Sequence, residues 1–515
     1  MNLFKPFFIN STVILFSRIL SFIRDMLIAT TFGAIIETDA FFVAFKIPNI
    51  LRKIFAEGAF SQTFIPMLTE YKNKKKFKKT RFFISYISGM LSLILILIII
   101  VGMIFSPEII FMTSPKFYSD SELFHTTVIL LRIMFPYVFF VSLACMASSI
   151  LNVWNYFFLP AISPMFLNFS IIFFVVFLHS YFKKNIFCLA WGVLVGGIIQ
   201  FLYQLPKIQQ IHMLPYPVIN IKNKRLTKML KGIIPAVFGV AFSQLSTIIN
   251  IFFSSILDAG SISWIYYADR LLEFPTSILG ISLGTILLPV LTKNVVKNNF
   301  LDYKKNLDWG LKLSFMLGLP SSLLIYFLAK PLVISLFQYG NFNDFDTFMT
   351  KNTVESYSIG IIGLILVKIL SSSFFALKDF TTPMKCSLLT IIINTVINIF
   401  FIYIFKHVGL AISVSISTWI NAFLLYKSLR SFQKISFTSE WLQFLLKLFI
   451  SLIVMNYVIT IILHNICDWR YGSIIFRILR ITGTILISWA TYLITFNILN
   501  YCTFYSKSCF NIKKN

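Results

Sequence analysis

Two guanidinium groups, Arg18 and Arg24, sit inside the first apolar stretch long enough to cross a membrane. More cations follow in the second stretch (Lys46, Arg52 and Lys53) and another in the eighth (Arg270). A guanidinium at bilayer depth is expensive unless it meets water or an anionic partner. Several of them on separate spans point to a chamber built to hold an anion.

Helical spacing sorts these residues. On the first span Ser17, Ser21 and Arg24 recur at i, i+4 and i+7 and share a face, with Arg18 and Asp25 flanking it. Arg24 has a competing use, pairing with a carboxylate such as Asp25 or Asp39, and Arg18 can snorkel to the surface. On the second span Asp39 lies at the outer end, and Lys46, Asn49, Arg52 or Lys53, and Glu57 follow at helical spacing. Pro48 and Gly58 interrupt that helix. Arg52 offers the planar fork that grips a phosphate bidentately, whereas Lys46 offers a point charge. Lys53 and Glu57 have the i, i+4 spacing of a surface pair. On the eighth span Tyr266, Tyr267, Asp269, Arg270 and Glu273 form a dense polar patch. Glu273 is placed to hold Arg270 until an anion replaces it. Ser243, Gln244, Thr247 and Asn250 give the seventh span a polar stripe, and Arg132 and Lys368 are further candidates on the fourth and tenth.

The elements that must position these side chains are membrane helices. Only 12% of the 515 residues are charged and 57% are hydrophobic, and mean hydropathy is +0.83. Long apolar runs recur, such as 82–105, 158–178, 310–328 and 389–405. Each is near the roughly 20 residues needed to span the hydrocarbon, and about fourteen stretches qualify. Helices satisfy their own backbone groups in lipid, so the expected fold is an all-α integral membrane bundle.

The net charge of +26 is a matter of topology rather than nucleic-acid binding. Lys72, Lys74, Lys75, Lys76, Lys78, Lys79 and Arg81 crowd one loop, and Lys222, Lys224, Arg225, Lys228 and Lys231 another. These loops follow even-numbered spans. The opposite loops carry Glu37, Asp120, Glu122, Asp344 and Asp346, so the positive-inside rule puts both termini in the cytoplasm. The six cysteines are scattered and the five histidines isolated, which gives neither a disulfide framework nor a metal site. The charged first span reads as retained rather than as a signal peptide. No Walker loop, HExxH or Ser–His–Asp spacing occurs, so an enzyme is not expected. Transport would be driven by gradients, by the membrane potential, or by consumption on the far side.

The chain also echoes itself. Pro66 and Pro289 sit in similar segments at an offset of 223, and Pro107 and Pro331 at 224. Ser148-Ser149, Asn155 and Pro160 are echoed by Ser372-Ser373, Asp379 and Pro383. Two six-helix halves follow, residues 1–205 and 231–432, with a basic linker at 206–230 and two extra spans plus a basic tail in 433–515. Ser17-Arg18 aligns with Ser243-Gln244, and Arg24 with Asn250. The cations are thus concentrated in the first half, plus Arg270, as a substrate requirement would have them.

The segments Ser17-Arg18-Ile-Leu-Ser-Phe-Ile-Arg24-Asp25, Thr38-Asp39 through Lys46-Ile-Pro48-Asn49-Ile-Leu-Arg52, and Phe55-Ala-Glu57-Gly58-Ala-Phe-Ser61-Gln62 resemble the MurJ (MviN-type) lipid II flippase family. So do Tyr266-Tyr267-Ala-Asp269-Arg270-Leu-Leu-Glu273-Phe-Pro275 and Ser335-Leu-Phe-Gln338-Tyr-Gly340. The resemblance runs along essentially the whole chain. It implies the fold of the multidrug/oligosaccharidyl-lipid/polysaccharide exporter superfamily, with two lobes about a central cavity and a lipid-tail groove from the last two helices. It implies the substrate undecaprenyl-diphosphate bearing the disaccharide-peptide of peptidoglycan, moved from the cytoplasmic to the periplasmic leaflet of the inner membrane. At positions matching the family, Arg18, Arg24, Arg52 and Arg270 would engage the diphosphate, with Asp39 and Glu57 as accompanying acids. Glu273 completes the expected set, and Asp25, Lys46, Asp269, Gln244 and Asn250 are secondary candidates. No cofactor is expected beyond coupling to the potential or a monovalent ion. Partners would be the lipid substrate, the bilayer and proteins of cell-wall synthesis. A cation-coupled drug exporter would favour cavity acids and aromatics over arginines. A non-transporting scaffold would tolerate changes to the cations.

Overall fold

A computed structural model describes residues 4–54, 59–73, 77–216, 218, 237, 240–241, 244–433, 439–466 and 468–512. Among the described residues every regular element is a helix. The order begins α1 (Phe4–Phe32), α2 (Ile36–Arg52), α3 (Ala59–Asn73), α4 (Phe77–Ile104) and the short α5 (Ser106–Thr113). Next come α6 (Ser121–Val153), α7 (Phe158–Phe173), α8 (Phe187–Leu202), the short α9 (Leu205–Gln210) and α10 (244–255). A π turn over Thr276–Ile281 carries α11 (Ser261–Pro275) into α12 (Ser282–Val296). The rest are α13 (Phe300–Phe327), α14 (Ala329–Leu336), α15 (Asp344–Ser358), α16 (Ile361–Ala376), α17 (Thr381–Gln433), α18 (Ser439–Asn465) and α19 (Ile474–Ile512).

Lipid, not water, explains the outer faces of these helices. α4 exposes Ile96, Leu97, Ile100, Val101 and Ile104, and α19 exposes Leu479, Leu486, Ile487 and Ile494. Contiguous apolar surface of that extent is not tolerated in a soluble monomer. Among the described residues eight helices are long and apolar enough to cross a membrane, or nine if α15 and α16, bent by 41°, form one span. α17 is two helices meeting at Lys406, where φ is 50° and ψ −130°. α2, α11 and α12 have 17, 15 and 15 residues, too short to be counted alone. This set is compatible with the fourteen expected spans without fixing that number.

Contacts divide the chain into two compact units, residues 1–263 with 340–342, and 264–339 with 343–515. In unit 1, α6 is the hub, packed on α2, α4 and α8, while α7 lies against α1 and α8. Phe64, Leu68, Ile84, Ile87, Val138, Met146 and Ile150 form part of its buried core. In unit 2, α16 packs on α12, α13 and α17, and α18 and α19 pack on each other and on α13. Leu324, Leu328, Leu452, Met455, Ile459 and Tyr492 fill that seam, and the Tyr492 hydroxyl donates to the Met316 carbonyl at 2.8 Å.

Polar residues in the sequence mark where helices start. Asp120 accepts from the backbone N–H of Glu122 and Leu123, and Asn343 and Asp346 form a reciprocal capping box at α15. Asp379 accepts from the N–H and hydroxyl groups of both Thr381 and Thr382 at the start of α17. Those donors, the Thr382 hydroxyl foremost, hold its carboxyl down at about 2 rather than the ordinary 3.8. A depressed carboxylate stabilises above its ordinary value, so this contribution is lost as pH falls towards 2.

The tripeptide 340–342 joins unit 1 because it docks on the end of α1. Asn341 donates its N–H to the Thr30 carbonyl at 3.0 Å and its side-chain amide to the Thr31 carbonyl at 2.6 Å. Gly340 sits at φ +55°, and a Cβ there would lie 2.4 Å from the Thr30 oxygen. Gly33, at φ +72°, ends α1 in the left-handed conformation against the Asn341 backbone. Gly340→Ala is therefore expected to lower the thermal unfolding temperature in detergent, at a cost on the order of 1–3 kcal/mol. An unchanged unfolding temperature would contradict this packing.

Candidate functional site

The cations of unit 1 are not left to hydrocarbon. Arg24 is 5% exposed and Asp25 1%. The Arg24 Nε and Nη2 both donate to Asp25 Oδ1, at 2.9 and 2.6 Å, and Nη1 donates to Asn168 Oδ1 at 2.8 Å. Asn168 belongs to α7, and its amide reaches back to the Ser17 carbonyl of α1 at 3.5 Å. Of the two carboxylates that could have held Arg24, the structure selects Asp25. In this conformation Arg24 is sequestered, held by Asp25 and Asn168.

Arg52 is the last residue of α2 and is half-buried. Its Nε and Nη2 donate to Asn49 Oδ1 at 3.0 and 2.8 Å, one turn back on the same helix. A neutral amide holds the fork in place and leaves its charge uncancelled by that contact. Pro48 does not end the helix, which runs through to Arg52. Arg18 and Lys46 are half-buried and Lys53 is exposed. Glu57 and Gly58 lie outside the described residues, as does Ser243.

Asp39 works elsewhere. Its Oδ2 accepts from the Gly260 N–H at 2.7 Å, and its Oδ1 from the Ser263 N–H and hydroxyl at 2.7 and 2.5 Å. A carboxylate on the free N–H groups of a helix start is a favourable cap, matching the positive end of the helix dipole. A cavity of about 270 Å³ beside it is also lined by Lys116, Asp120 and Asp258. The Lys116 ammonium is spent on the Leu257 carbonyl at 2.6 Å. Three carboxylates against one engaged ammonium do not suit an anion, so this corner is an anchor for the turn 256–263.

In unit 2, the Arg270 Nη1 donates to Glu273 Oε2 at 2.6 Å and Nη2 to the Tyr266 hydroxyl at 3.1 Å. The guanidinium also lies 4.8 Å from the Tyr266 ring centre. The side chains of Arg270 and Glu273 are 25% and 53% exposed, so this ion pair is partly solvated and open to exchange. Asp269 is exposed and shares a hydrogen bond with the Tyr357 hydroxyl. Tyr267, expected in the same polar patch, is instead fully buried with its ring 5.1 Å from Phe337. Gln244 and Asn250 are half-buried on α10. Arg132 is exposed and donates to the Met103 carbonyl at the end of α4. Lys368 is exposed midway along α16. Among the described residues no three His, Cys, Asp or Glu side chains converge as a metal site would require.

Sequence reasoning missed Asn168 and Tyr357. A lone asparagine in the apolar run 158–178 was the available signal for the first. A polar residue on a membrane helix needs a partner across the helix interface.

The profile of a family described as "Lipid II flippase MurJ" matches residues 28–480. "Probable lipid II flippase MurJ" of Buchnera aphidicola subsp. Acyrthosiphon pisum is 48% identical over 499 residues, covering 97% of this chain and 98% of that protein. "Lipid II flippase MurJ" of Burkholderia cenocepacia is 40% identical over 452 residues, covering 87% and 88%. Among solved structures, "Lipid II flippase MurJ, inward closed conformation" superposes with a TM-score of 0.80 at 27% identity, covering 96% of this chain and 99% of that one. An inward-facing multidrug resistance MATE family transporter of the MOP superfamily matches with a TM-score of 0.67 at 14% identity, covering 84% and 99%, a likeness of fold alone.

The buried pair gives a direct test. Asp25→Ala leaves the Arg24 guanidinium without its anion and is expected to cost about 3–5 kcal/mol. Adding Arg24→Leu should recover part of that loss, giving a clear interaction energy in a double-mutant cycle of thermal unfolding in detergent. Strict additivity would show that the two side chains do not pair.

Proposed function

We propose, for a chain that belongs to the lipid II flippase MurJ family, that its intramembrane arginines receive the diphosphate of the lipid-linked substrate. Flipping lipid II is this protein's function, and it is a membrane transporter rather than an enzyme. The proposal concerns the residues. Arg18, Arg24 and Arg52 of unit 1 and Arg270 of unit 2 take the diphosphate, with Glu57, Glu273 and Asp25 as the accompanying acids. Asp39 supports the reaction from the start of α11. Lys46, Asp269, Gln244 and Asn250 line the path of the polar head.

The observation that supports this most is the state of Arg270. It is held by a half-exposed carboxylate and a tyrosine, a pairing that an incoming phosphate can replace without stranding a charge. Arg24 is held more tightly, against a carboxylate buried with it, so a phosphate would have to reach it with Asp25 still beside it. Guanidinium forks suit a diphosphate because each presents two parallel donors to two phosphate oxygens. The head group cannot cross hydrocarbon, whereas the polyprenyl tail never has to leave it. Alternating access then exposes the cations first to the cytoplasmic and then to the periplasmic side.

The sequence repeats 1–205 and 231–432 would form the two moving halves, with the helices of 433–515 holding the tail. Both termini would be cytoplasmic in a bacterial inner membrane, as the loop cations suggest. An inside-negative potential favours outward movement of an anionic head by roughly 2.3 kcal/mol per charge per 100 mV. A monovalent ion could share that coupling. Cell-wall synthesis proteins would consume the product on the far side.

Arg24→Ala, Arg52→Ala and Arg270→Ala are each expected to abolish complementation of a strain depleted of its flippase, while membrane levels stay normal. Full growth with Arg24→Ala would contradict the assignment. In proteoliposomes, collapsing the membrane potential should slow flipping several-fold, and an unchanged rate would remove the electrical coupling.

A further inference from the structure

Lys368 lies midway along the sixteen-residue α16, with Ile365, Leu366, Ile369 and Leu370 buried around it. It is exposed, on a stripe with Leu364 and Phe375. Arg24, Arg52 and Arg270 each rest on a carboxylate or amide. Among the described residues the Lys368 ammonium makes no such contact. A mid-span ammonium in that state is too costly to face acyl chains and calls for water and an anionic partner.

Its surroundings are built to leave it room. The stem of Lys368 passes Gly280, where a Cβ would lie 3.4 Å from its Cγ, and Gly284 faces Ser372 one turn further. Gly280 falls within the π turn Thr276–Ile281, a departure from α geometry that is frequent at functional positions. The same continuous helix carries Arg270 ten residues earlier, about 15 Å away by the helical rise. Arg270 is bonded to Tyr266 and Glu273, one turn to either side, and so stays at its own level. A diphosphate spans only a few ångström and cannot serve both positions. A head bearing a disaccharide and a peptide is long enough, and its remaining anionic groups are carboxylates.

We propose that Lys368 is a further substrate contact, binding a carboxylate of the peptide on the lipid-linked head. This rests on Arg270 taking the diphosphate. A lysine suits the task, because a point charge on a flexible stem follows a mobile peptide better than a rigid fork does.

The test uses full-length protein in proteoliposomes and two substrates, undecaprenyl-diphosphate-disaccharide with and without its peptide. Lys368→Gln is expected to slow flipping of the peptide-bearing substrate about tenfold, the scale of one charge contact, and to leave the peptide-free substrate unchanged. Lys368→Arg should keep most of the rate on both. Equal rates for Lys368→Gln and the unaltered protein on both substrates would overturn the proposal. Equal losses on both would also overturn it, since a folding or diphosphate role would act that way. Arg270→Ala, run alongside, should abolish both activities. If it is silent, the diphosphate assignment fails rather than the peptide contact alone.

Discussion

A charge inside the bilayer must meet water or a partner, and that single constraint orders the rest of this structure. For three of its cations each unit meets it with its own side chains. Arg24 is wrapped by Asp25 and Asn168, Arg52 by Asn49, and Arg270 by Glu273 and Tyr266. These arrangements differ in depth and in partner charge. Arg52 donates to a neutral amide, Arg270 shares a solvated carboxylate, and Arg24 is buried against a full negative charge.

The helices of unit 2 are irregular at several points. α11 passes into α12 through a π turn, α15 and α16 meet at a 41° bend, and α17 turns back at Lys406. Polar side chains and tight backbone fits also fix the connections between helices. Asp39 satisfies N–H groups at the start of α11, and Gly340 admits the Thr30 carbonyl where no side chain would fit. These contacts are neutral to the identity of the substrate.

Much of this was readable beforehand because membrane helices follow from apolar run length alone. The run 158–178 became α7 with its extension, and the two extra spans expected in 433–515 became α18 and α19. The pairing of Arg270 with Glu273 followed from their spacing on one helix. What spacing cannot supply is the partner on another helix. Asn168 lies 144 positions from Arg24, and nothing local to either residue announces the contact. Tyr267 failed for the same reason, since its neighbour Phe337 comes from far along the chain and draws the ring into the core. Asp39, expected beside the cations, was claimed by a helix start that only the folded chain brings near.

The central claim is that these guanidinium groups recognise pyrophosphate. It is tested most directly by competition in proteoliposomes carrying the lipid-linked precursor. Undecaprenyl diphosphate, with no sugar or peptide, should compete for flipping, and its potency should fall as ionic strength screens the contact. Undecaprenol at the same membrane concentration should not compete. Equal inhibition by the two, unmoved by salt, would mean that the tail alone is bound and that the arginines serve the fold.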